Sequence, residues 1–88
     1  MQKKRLPKSI SRPRNDEEFK LLKKIGDRIH RDLAKKGRPV EWLAFEAETA
    51  RSTIRRIFDG EGNIGVVTLN RVAQALGYKD VVEFFRDL

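Results

Sequence analysis

The stretch LAFEAETARSTIRRIFDG, residues 43–60, decides how the chain is read. An apolar-faced helix over residues 39–47 leads into it. A few residues without strong helix signals follow, and a second helix over 50–58 stops at Gly60. At 3.6 residues per turn, Ile54, Ile57 and Phe58 fall on one face of that second helix. Ser52, Arg55 and Arg56 fall on the other, with Arg51 at the flank near the N-terminus. Residues 49–58 hold three arginines and no acid, a local charge of +3. A short helix followed by an amphipathic one with a basic outer face is what a major-groove reader requires. An ordinary surface helix with solvated arginines has the same pattern, so the residues alone leave both readings open.

The run also resembles the helix-turn-helix of the Cro and phage-repressor family, the lambda-repressor-like regulators of xenobiotic-response-element type. The matching positions are Leu43-Ala44, Ser52-Thr53-Ile54 and Ile57-Phe58-Asp59-Gly60. The likeness continues through Ile25-Gly26, Arg28-Ile29, Leu33 and Gly37 before the run and Ala75-Leu76-Gly77 after it, covering roughly residues 24–85. It implies a compact all-α domain of five helices that binds double-stranded DNA and regulates transcription, most simply as a repressor. Residues 50–58 would be the recognition helix. Arg51 and Ser52 match the family's main base-reading positions, and Arg55 and Arg56 match secondary base or phosphate positions. The backbone-facing positions fall on Thr49, Thr53, Val40 and Asn63.

Four departures stand out. Glu48 occupies a place where glycine is common, and Ala50 one where a serine or threonine cap is common, which makes Thr49 a substitute cap. Val40 replaces a frequent phosphate-holding glutamine, and Glu61 a frequent basic residue. Fewer clamps imply weaker binding by the domain itself.

The net charge of +7 is unevenly distributed. Residues 1–15 carry Lys3, Lys4, Arg5, Lys8, Arg12 and Arg14 without an acid, leaving 14 basic against 13 acidic residues elsewhere. With two prolines and scattered apolar residues, this stretch buries too little surface to order itself. Residues 1–14 are therefore expected to be a disordered basic arm, and residues 15–88 the helix-turn-helix domain. An acid-free block of this kind serves polyanions or is a solvated tail. Arg12-Pro13-Arg14 would suit a narrow minor groove, which attracts arginine.

Helix signals follow in order. Asn15 can cap the first helix with Glu18 as its capping-box partner. Phe19, Leu22, Ile25, Ile29 and Leu33 form its apolar stripe, and Gly37 ends it. About two turns, residues 15–24, extend it beyond the family's minimal domain. Pro39 suits the first turn of the second helix, and Ala44 lets the third cross closely. Gly65 can cap a fourth helix over 66–76, with Val66, Leu69, Val72, Ala73 and Leu76 inward. Asp80 and Glu83 form another capping box for a last helix bearing Val81, Phe84, Phe85 and Leu88. The β-branched run Val66-Val67-Thr68 is outweighed by the helical pattern around it.

Several classes drop out. There is no cysteine, and His30 is the only histidine, so neither a metal site nor a cofactor site is expected. No acid, base and nucleophile occur at a recognisable spacing, so no catalytic residues are assigned and an enzyme is not expected. The glycine-rich segment 60–65 lacks the lysine and serine of a phosphate loop. No run reaches ~18 apolar residues, so no membrane span is expected. The basic N-terminus lacks the apolar run of a secretory signal, which points to the cytoplasm, at the nucleoid when DNA is bound. The expected partners are double-stranded DNA and a second copy of the chain. One recognition helix reads few base pairs, and Phe84, Phe85 and Leu88 are the candidate dimer seam. The alternative is an antitoxin-type module that binds a toxin partner and represses its own operon.

Overall fold

The computed structural model describes the backbone of residues 9–10, 14–62 and 64–88, and the side chains of 14–62 and 64–88. Among the described residues five helices follow one another: α1 (Asp16–Lys36), α2 (Val40–Glu46), α3 (Arg51–Phe58), α4 (Val66–Ala75) and α5 (Val81–Arg86). A two-residue strand β1 (Ser9–Ile10) pairs antiparallel with β2 (Ile64–Gly65), Ser9 opposite Gly65 and Ile10 opposite Ile64. This pairing corrects the expectation of disorder throughout residues 1–14, since Ser9 and Ile10 are held against β2, but it adds no layer. The architecture is all-α.

Asn15 starts α1 by accepting a 2.9 Å bond from the Glu18 amide, and three acids in the first turn suit its positive end. Gly37 ends it in the left-handed conformation, φ 66°, where a side chain would be strained. Asp80 caps α5 the same way, at 2.9 Å from the Glu83 amide. Both boxes differ from the expected form in one respect. The Glu18 and Glu83 side chains reach one residue further back, to the amides of Arg14 and Lys79, each at 2.7 Å.

The middle helices start without side-chain caps. Pro39 is the N-cap of α2 rather than its first helical residue, and Ala50 is the N-cap of α3. Thr49 therefore does not cap, and α3 starts at Arg51. The turn between them passes through Glu48 at φ 55°, so this residue adopts the left-handed form that the expected glycine would take without cost.

The core collects Leu22, Ile25, Ile29 and Leu33 of α1, Leu43, Ala44 and Ala47, Ile54 and Ile57 of α3, Ile64, Leu69, Val72, Ala73, Leu76 and Phe84. Full burial of each large side chain among them contributes roughly 1.5–3 kcal/mol. Phe58 is half-buried at the edge of this cluster. The expected stripe of α1 holds except at its start. Phe19 is 45% exposed and stands outside the buried core.

Phe84 requires a correction. It is 1% exposed and packs edge-on against Tyr78 at 5.2 Å, so it closes the core and cannot form a dimer seam. Phe85 is exposed beside it, and Leu88 packs partly against the core. The C-terminal end is tied to α1 by polar contacts. The Tyr78 hydroxyl donates to Asp32 at 2.6 Å, and Arg28 donates to the Asp87 carbonyl at 2.9 Å. Asn70 of α4 accepts from the first amide of α5 at 2.8 Å.

Candidate nucleic-acid interface

The seat of α3 is set by Gly26. A methyl group there would overlap the Ile57 carbonyl oxygen and lie 2.9 Å from that of Phe58. Because both obstacles are backbone, only glycine allows α1 and α3 to approach this closely. One turn earlier on the same face of α1, Lys23 donates to the Phe58 carbonyl at 2.9 Å and so satisfies the C-terminal end of α3. One turn later, His30 meets Phe58 edge-on, with ring centroids 4.8 Å apart. Residues 23, 26 and 30 thus grip the second half of α3 by its inner side.

With Ile54 and Ile57 fully buried against this platform, the opposite side of α3 faces solvent. Arg51, Ser52, Arg55 and Arg56 are all exposed. The sequence expectation that these four share one outward surface is met. The helix itself bears no acid, but a neighbour supplies one. Glu41 of α2 accepts a hydrogen bond from Arg51 Nη1 at 2.8 Å, an ion pair between side chains 56% and 60% exposed. The bond from Arg51 holds the Glu41 carboxyl below the usual carboxylate range, and the charge of Arg55 adds to the effect. Just before α2, Arg38 stands over the Trp42 ring at 5.3 Å, a cation held against an aromatic face.

Comparison with protein-family models, curated proteins and solved structures finds no match to the chain.

The other expected site residues divide clearly. Thr49, Thr53 and Val40 are half-buried, and Val40 packs against the core. Asn63 and the arm residues Lys3, Lys4, Arg5, Lys8 and Arg12 lie outside the described residues. Arg14 is described; it precedes the N-cap of α1, and its guanidinium pairs with Glu18 at 3.3 Å. That pair is exposed and of the kind worth little in water. Among the described residues no group of three His, Cys, Asp or Glu side chains is placed to hold a metal ion. No described helix is long and apolar enough to cross a membrane.

Two contributors went unread in the sequence. His30, with Val40, Arg55, Phe58 and Asp59, lines an open groove of about 370 Å³ at the end of α3. Its signal was available, since it stands four residues after Gly26 and therefore on the same face of α1. Glu41 had no such signal. It is ten residues from Arg51, and nothing local says how α2 and α3 cross.

Proposed function

We propose that this chain is a sequence-specific binder of double-stranded DNA, a lambda-repressor-like transcriptional regulator. In this reading α2 and α3 form its helix-turn-helix and α3 enters the major groove. The observation that carries the reading is the two-sidedness of α3. Its inner side is immobilised on Gly26, while the outer side offers three arginines and a serine from a single short helix. Recognition of base edges needs donors held on a rigid element, and arginine paired with guanine O6 and N7 is the commonest specific contact. A half-site containing guanine is the expected target.

The basic arm, residues 1–14, would supply phosphate contacts and with them much of the salt dependence. A homodimer would pair two such helices across a palindrome. With Phe84 buried, Phe85 and Leu88 are the residues left for its seam. The antitoxin alternative draws on Phe45 of α2, 79% exposed and one turn after Glu41, which would suit a protein partner.

The test is selection of bound fragments from random duplex DNA by the purified chain. An enriched motif containing guanine is expected, and its symmetry reports the number of copies bound. A pool that stays random through repeated rounds would remove the DNA-binding reading and leave the protein-partner one.

A further inference from the structure

We propose that Glu41 is a positioning residue that sets the sequence selectivity of α3 by holding Arg51 ready for a guanine. The inference rests on the DNA-binding reading above and deepens it. Its basis is the 2.8 Å bond between two helices whose relative placement is fixed by the core. Leu43, Ala44 and Ala47 anchor α2, and Ile54 and Ile57 anchor α3, so neither partner shifts with its helix. The length lies within the range of charge-assisted bonds, and because both side chains stand in solvent the pair adds little to stability and acts on where the guanidinium sits.

The bond engages one nitrogen of the Arg51 fork. Arginine carries five N–H donors, and the remainder are enough for a bidentate pair with guanine O6 and N7. A long exposed side chain ordinarily loses its rotamer freedom when it binds. Tethering Arg51 to Glu41 removes part of that freedom before the DNA arrives, and preorganisation of this kind raises affinity.

Charge contributes with the opposite sign. A carboxylate on a surface that meets DNA repels phosphates and offsets the Arg51 charge, which lowers affinity for any duplex. On a site with guanine in place, the base contact outweighs that repulsion. On other sequences only the repulsion is left. Glu41 thereby widens the gap between right and wrong sequences, as an element acting against unwanted partners does. Since Arg51 holds its carboxyl below the usual range, Glu41 stays charged throughout the neutral region where DNA is bound.

The experiment compares Glu41→Gln with the parent on the motif selected from random DNA and on a scrambled duplex. Affinity for the motif should fall about threefold and affinity for the scrambled duplex should rise about threefold, so that their ratio drops roughly tenfold. In an Arg51→Ala background, Glu41→Gln should change the ratio no further, because the effect runs through the arginine. An equal rise on both duplexes would reduce Glu41 to a general repeller and overturn the proposal. A larger rise on the motif would overturn it too, by making Glu41 a competitor for Arg51. A parent chain that enriches no motif at all would sink the DNA-binding reading itself, a different failure seen before any variant is made.

Discussion

Ile54 and Ile57 on the inner side of α3 have no exposed surface, whereas Arg51, Ser52, Arg55 and Arg56 on the outer side stand in solvent. The inner side is governed by fit. Buried apolar side chains pack there beside Lys23 and His30 of α1, and one missing Cβ at residue 26 decides how close the two helices come. The outer side is governed by charge, and there the decisive neighbour, Glu41, is a polar residue of α2 that the helix's own sequence does not contain. A helix can be read from its own periodicity on the side that packs. The chemistry of its free side depends on what other elements bring to it.

The severest way to break this contrast is Gly26→Ala. The added methyl meets a carbonyl that cannot rotate away, so stability should fall by about 3 kcal/mol, a large fraction of what holds a domain of this size folded. Urea denaturation checks it, and a midpoint unchanged from the parent would mean that α1 and α3 sit further apart. Removing residues 1–13 probes the charged side instead. It deletes Lys3, Lys4, Arg5, Lys8 and Arg12 but spares the Arg14–Glu18 pair. The slope of log K against log salt should flatten by about 2–4, with the selected motif unaltered. Superimposable slopes would make the arm a solvated tail.

Tyr78 lies away from α3 and sharpens the contrast as a control. Burial first, and its bond to Asp32 second, push the phenol above its usual 10.0. A raised folded value means that the contribution is complete below about pH 10 and is lost as pH rises through the folded value. Tyr78→Phe should cost about 1 kcal/mol at neutral pH and make the alkaline fall shallower, without changing DNA selectivity. Stability measured across pH 7–12 decides it, and an unchanged alkaline limb would show that other groups govern it. The smallest effect expected is at the turn. Glu48→Gly should stabilise by about 0.5–1 kcal/mol, because the left-handed conformation strains glutamate more than glycine costs in the unfolded chain. A loss of stability would point to a contact of Glu48 that outweighs the strain.

Much of the fold was legible because its signals are local. The stripe from Leu22 to Leu33, the caps Asn15 and Asp80 and the stop at Gly37 all act within a turn or two of themselves. The features that escaped depend on distant partners. Phe84 looked like excess apolar surface because its cover, including Tyr78, is assembled only when α4 and α5 fold back. The Ser9–Ile10 pairing joins segments more than fifty residues apart, with no alternating pattern on either side. In the candidate site the four outward side chains of α3 followed from helical periodicity. Glu41 and His30 reach it from other helices, and only His30 had a positional clue, through Gly26.

Whether the outer side of α3 reads bases is decided by Arg51→Ala. Its affinity is measured by titration on the selected duplex and on a scrambled one at the same salt concentration. A loss of about 1–3 kcal/mol is expected on the selected duplex, with relaxed preference at one position and a much smaller loss on the scrambled one. Equal losses on both would contradict it, since Arg51 would then be a backbone contact.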